Sequence, residues 1–142
     1  MFNSIKPVYL LVLLSASLLF VTSCSTSVRF ANSAVVPSAV GTAKLTKDSN
    51  KNLLLILNVR NLVDPSRLTP SKKVYLVWMQ TKDQGNKNLG RLVSSEAYFS
   101  TERNAKFSAV LTAVPTKIFI TAEDSADVQN PGSVTVLITE SF

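Results

Sequence analysis

Val40-Gly41-Thr42-Ala43-Lys44-Leu45-Thr46-Lys47, then Asp48-Ser49-Asn50-Lys51-Asn52, then Leu53-Leu54-Leu55-Ile56-Leu57-Asn58-Val59-Arg60-Asn61-Leu62 is the stretch that decides the fold. Two runs of strand length flank a block of polar residues whose side chains satisfy local backbone groups, so the segment reads as a β-hairpin. Neither run repeats its apolar residues at the three-to-four spacing of a helix. Leu53 to Leu57 is apolar on both faces of an extended chain, which implies burial between sheets or under a neighbouring element. Alternation resumes at Asn58-Val59-Arg60.

The same pattern continues downstream. Pro65 and Pro70 bracket a loop, since proline offers no ladder donor and disfavours helix before it. Strands are expected at Lys73 to Thr81, Asn88 to Ser94, Ala105 to Thr112, Lys117 to Glu123 and Ser133 to Glu140, with turns at Gly85 and at Asn130-Pro131-Gly132. About seven strands at this spacing, with a Trp in the third, predict an all-β domain over residues 38–142, as an immunoglobulin-like two-sheet sandwich. No disulfide supports it, because the chain has one Cys.

Composition narrows the chemistry. The 142 residues include no His and one Cys, so Ser-His-Asp and Cys-His nucleophilic sites and His/Cys zinc sites are excluded. No Ser has a Lys three positions on, and the four glycines are too scattered for a phosphate-binding loop. These absences point away from an enzyme and name no catalytic residue. The acidic residues Glu96, Glu102, Glu123 and Asp127 show no reason to converge as a glycosidase pair. Asp48-Ser49-Asn50-Lys51-Asn52 opens like a calcium loop but continues with Leu53 where Gly is needed and reaches Val59 where Glu is needed. Glu123, Asp124 and Asp127 read more simply as a solvated loop than as a cation site, so no metal is expected.

The first residues address the chain. Lys6 precedes the uncharged stretch Val8 to Val21, which has the length of a secretory h-region and falls short of the roughly 20 residues of a membrane span. Val21-Thr22-Ser23-Cys24 follows, with a branched apolar residue three before the Cys and small residues between. This resembles the bacterial lipoprotein box. The resemblance implies that residues 1–23 are a signal peptide, that the Cys24 thiol receives diacylglycerol, that cleavage precedes Cys24, and that the new amino group is acylated, for instance with palmitate. Lipid chains on Cys24 would make the bilayer its permanent partner, since more than one chain gives stable anchoring. Ser25, in place of an Asp, favours the outer membrane over the inner membrane by the same resemblance. No other cofactor is expected.

Residues 24–37 are Ser/Thr/Ala-rich and read as a tether of at most about 45 Å. The net charge of +6 loses only Lys6 on processing, leaving +5. Lys72-Lys73 is the only adjacent basic pair, so nucleic acid is not an expected partner. A solubilising charge is the plainer reading, and a basic face resting on anionic lipid or glycan is the alternative.

Tyr75 and Trp78 lie three apart in a strand and so face opposite sides of a sheet, with packing the expected role of both. Tyr98 and Phe99, beside Ser100-Thr101-Glu102-Arg103, are the better candidates for contact with an envelope protein partner, and the Tyr75 hydroxyl is a third.

Tyr75-Leu76-Val77-Trp78-Met79, Asn88-Leu89-Gly90-Arg91-Leu92, Ile118-Phe119-Ile120-Thr121-Ala122-Glu123 and Asn130-Pro131-Gly132 occur in an order that resembles the extracytoplasmic domain of anti-sigma-K factors. The likeness spans roughly residues 73–140 and implies a β-sandwich with a sensing or binding surface. Members of that family carry a cytoplasmic sigma-binding segment and a spanning helix before this domain, whereas residues 1–37 here hold a signal and a tether. The expectation is a membrane-anchored envelope lipoprotein with a non-catalytic binding or structural module. The alternative is an envelope signalling accessory without its own sigma-binding segment.

Overall fold

The computed structural model describes residues 25–96 and 103–142. These residues are all-β, as expected, with strands β1 (Thr26–Arg29), β2 (Val40–Lys47), β3 (Leu53–Arg60), β4 (Val74–Thr81), β5 (Gly85–Glu96), β6 (Arg103–Leu111), β7 (Lys117–Glu123) and β8 (Thr135–Ile138). All eight belong to one antiparallel sheet in the order β1-β2-β3-β6-β5-β4-β7-β8. The sequence reading anticipated two separate sheets. They are joined because β5 is long enough to pair with β4 through its first part and with β6 through its last. A register shift between Val77 and Trp78, opposite Gly90 at φ 129°, bends the sheet there. Glycine adopts this φ without the Cβ conflict that other residues meet.

The sheet curls until its two edges touch. Phe30, just past β1, bridges Thr139, just past β8, and Ala31 N donates to Ile138 O at 2.8 Å. The concave side holds the main core, including Leu55, Leu57 and Val59 of β3, Tyr75, Val77 and Met79 of β4, and Ile118 and Ile120 of β7. Burying so many branched and aromatic side chains on one face is what makes the curl favourable, at roughly 1.5–3 kcal/mol each.

The expected hairpin is β2–β3, paired from Val40↔Arg60 to Lys47↔Leu53. Asp48 makes its turn: one carboxylate oxygen accepts from Asn50 N and Asn52 N, both at 2.8 Å, and the other from Asn52 Nδ2 at 3.1 Å. These bonds, led by those from Asn52, hold the Asp48 carboxyl below its usual pKa. Lys51 takes up the positive φ of 64° that closes the turn.

The stretch anticipated as a tether enters the fold. Thr26–Arg29 pairs with β2, and Phe30 and Val36 are buried in the core. Its strand is only 4 residues long and mostly exposed, so its alternation is too short to stand out in the sequence. Leu62 and Leu68 join Phe30 and Val36 in the same core. Between them Asp64 caps a 3-10 turn at Pro65–Arg67 by accepting from Ser66 N at 2.9 Å.

Candidate functional site

Cys24 and its preceding Val21, Thr22 and Ser23 lie outside the described residues, as do Tyr98 and Phe99. Tyr75 is described, and it points into the core at 4% exposure. Its hydroxyl donates to Val63 O at 2.9 Å. Burial, and secondarily the nearby Asp64 charge, push its pKa up to about 12. The contact role considered for Tyr75 has no exposed surface to act through, because strand alternation puts its side chain on the concave face.

Trp78 takes the opposite face of β4 and is still fully buried. There it packs with Val74, Leu76 and Phe119 in a small second core, partly covered by Val128. The Trp78 and Phe119 rings stack 6.2 Å apart at 11°. Trp78 Nε1 donates to Thr121 Oγ1 at 2.8 Å, and Thr121 Oγ1 donates to Glu123 Oε1 at 2.6 Å. The same carboxylate oxygen accepts from Gly132 N at 2.7 Å. Asn88 Nδ2 donates to Val128 O at 3.1 Å from β5. Residues from the four segments 75–79, 88–92, 118–123 and 130–132 thus meet in one packed network that pins the 124–132 loop over the sheet. Their visible role here is structural.

This arrangement also disperses the acidic cluster. Glu123 is buried in the network, Asp124 pairs with Lys72 at 2.8 Å, and Asp127 is exposed. Among the described residues no group of three metal-binding side chains comes together.

A different surface does come together, on the convex face of β1, β2, β3 and β6. Side chains alternate, and residues opposite the buried Ala43, Leu45, Leu55, Leu57, Val59 and Ala105 point outward. Strand register then lines them up in rows. Arg29 pairs with Thr42, Thr42 with Asn58, and Asn58 with Lys106. The next row runs Ser27, Lys44, Ile56, Ser108, and the row on the other side runs Val40, Arg60, Asn104. A further row, Thr46, Leu54, Val110, completes the face.

Arg29, Lys44, Arg60 and Lys106 are all exposed, and no carboxylate stands in any of these rows. The cations are spaced so that none is directly opposite another; Thr42, Asn58, Ile56, Val40 and other uncharged residues intervene. Like charges placed opposite each other would destabilise the sheet, and this spacing avoids that cost. The ion pairs Lys72–Asp124 and Arg103–Asp64 are made elsewhere.

Relief on this face is shallow but defined. A cleft of about 560 Å³ is lined by Arg29, Phe30, Asn32, Thr42, Asn58 and Arg60, among others. Two guanidinium groups, two amides and a hydroxyl make its rim a donor-rich surface suited to phosphate or carboxylate oxygens. An adjoining depression of about 360 Å³ is lined by Leu54, Ile56, Lys106, Phe107 and Ser108. The face is therefore cationic at its perimeter with aliphatic groups, Leu54, Ile56 and Val110, along one side. Sequence reading held a basic face as the alternative to a solubilising charge without naming its residues, because the four cations lie on four different strands. The available signal was alternation: each occupies the outward phase of its strand.

No family model matches the chain, and no curated protein or solved structure is significantly similar to it.

Proposed function

We propose that the chain is a lipid-anchored lipoprotein of the bacterial envelope whose curled β-sheet acts as a non-catalytic binding module through its convex basic face. The observation that carries the binding role is the carboxylate-free array of Arg29, Lys44, Arg60 and Lys106 around a donor-rich cleft. Donors without a basic or nucleophilic partner suit recognition of an anion better than its chemical conversion. The anchor rests on the lipoprotein box ending at Cys24, with residues 1–23 as its signal and Ser25 favouring the outer membrane.

A second reading makes the same module an envelope signalling accessory, on the strength of the Tyr75-to-Gly132 motifs and their convergence at Trp78, Thr121 and Glu123. In that reading a transmembrane partner carries the message, since the resemblance extends to no sigma-binding residue of this chain.

Mass spectrometry of the membrane-fraction protein tests the anchor: an N-terminal Cys24 carrying diacylglycerol and an amide-linked acyl chain is expected. An unmodified Cys24, or a Cys24→Ser chain that is processed and membrane-bound as before, would refute it. A photo-crosslinking residue placed at Thr42 in intact cells tests the face, with Ser125 as the comparison position on the loop over the other half of the sheet. Crosslinks from Thr42 that disappear in Arg29→Glu/Arg60→Glu are expected. Equal yields from both positions would remove the basic face from the proposal.

A further inference from the structure

The position of β1 changes what the anchor can do. Cys24 stands two positions before Thr26, the first residue of a strand hydrogen-bonded into the sheet along its whole length. Two extended residues span at most about 7 Å. A lipid-modified Cys24 therefore holds the start of β1 at the bilayer surface, with no flexible spacer to let the domain stand away from it.

On the convex face Ser27 of β1 and its register partner Lys44 lie close to that point, and Arg29 follows two residues further along the strand. Beyond them the same face carries Lys106 and Arg60. Strands lie about 4.8 Å apart, so the row from Arg29 to Lys106 reaches about 14 Å from the anchored edge, within a patch that a bilayer surface can touch at once. Along one side of the cations, Leu54 and Ile56 are partly exposed and Val110 is 57% exposed. Exposed cations, aliphatic groups along one side and no carboxylate describe a surface complementary to an anionic membrane interface.

We infer that this convex face docks flat on anionic phospholipid headgroups, with the Arg29–Arg60 cleft receiving headgroup phosphate. The inference rests on the lipid-anchored reading of Cys24. Anchor and face then act together: the lipid chains supply attachment, and the face sets orientation, turning the Trp78 side of the sheet and the 124–132 loop away from the face that meets the bilayer. Such electrostatic docking weakens with salt, because exposed charges are screened beyond about 8–10 Å at physiological ionic strength. The docked-to-undocked ratio should fall about fivefold for each cation removed.

The test uses the full chain purified from membranes and placed in vesicles of phosphatidylcholine alone or of phosphatidylcholine with phosphatidylglycerol. Ser108→Cys on the convex face, or Ser125→Cys on the far loop, carries a fluorophore, and nitroxide-bearing lipids quench it where it lies near the bilayer. Acylation blocks Cys24, so one labelled thiol per chain verifies the anchor independently of docking; two labelled thiols would mean that the anchor reading itself has failed. With the anchor present, stronger quenching at Ser108→Cys in the anionic vesicles, lost at high salt and in Arg29→Glu/Lys44→Glu/Lys106→Glu, is the expected result. Equal quenching in both lipids, stronger quenching at Ser125→Cys, or retention of this face on an acidic polysaccharide matrix without lipid quenching would overturn the docking.

Discussion

Glu123 and Gly132 are joined by a hydrogen bond from the Gly132 backbone N–H to Glu123 Oε1 at 2.7 Å, across the loop that follows β7. The same oxygen accepts from Thr121, which in turn accepts from Trp78. A buried carboxylate is costly unless its oxygens are satisfied, and here one side chain closes a loop, organises a threonine and seats an indole. This clamp is what lets β4 be buried on both faces within a single sheet.

Replacing Glu123 with Ala leaves the Thr121 hydroxyl without its acceptor and frees the Gly132 N–H. A loss of about 2–3 kcal/mol in unfolding free energy is expected from such an unmade buried network. Urea denaturation followed by tryptophan fluorescence measures it, since Trp78 is the only Trp and sits on the network.

Gly132 is confined by the same contact. A Cβ at this position would lie 2.6 Å from Glu123 Oε2. Gly132→Ala should cost about 1–3 kcal/mol by overpacking. In a Glu123→Ala background that cost should largely vanish, and the resulting non-additivity in a double-mutant cycle is the measurement to make.

Tyr75 links stability to alkaline pH. Its folded-state pKa is raised from 10.0 to about 12, so between those values the unfolded chain has released a proton that the folded chain still holds. Stability from this group is complete below about pH 10 and declines as pH rises toward 12. Tyr75→Phe should flatten that part of the pH–stability curve while removing the hydrogen bond to Val63 O. Thermal melts of both proteins across the range check it.

Phe30 tests whether the segment after Cys24 belongs to the fold. Its backbone N–H donates to Gly41 O at 3.1 Å and its side chain is 8% exposed. Phe30→Ala should cost about 3 kcal/mol or more, as for other buried aromatic truncations, and a melt unchanged from the parent would return these residues to the role of a tether.

The fold's local units were legible because each depends on short-range pattern. Asp48 to Asn52 announced a turn by its side chains, and Leu53 to Arg60 announced a strand by its apolar run and the alternation that followed. Thr26–Arg29 was not legible, because four residues without a clear alternating pattern acquire strand character only from pairing with β2. Leu54 and Ile56 misled for a related reason. Their apolarity implied burial on both faces, yet they remain partly exposed on the convex face. The residues buried on both sides are those of β4, where Val74, Leu76 and Trp78 pack outside the sheet.

By itself the sequence determined the β class and the hairpin, and its lack of His with a single Cys excluded Ser-His-Asp, Cys-His and His/Cys zinc sites, since all of these depend on residue type and short spacing. Tertiary structure alone decided that the strands form one curled sheet, that Tyr75 is occupied inside it, and that Arg29, Lys44, Arg60 and Lys106 share a face. The physical reason is register. Backbone pairing between strands far apart in the chain sets which outward positions become neighbours, and no local pattern encodes that alignment.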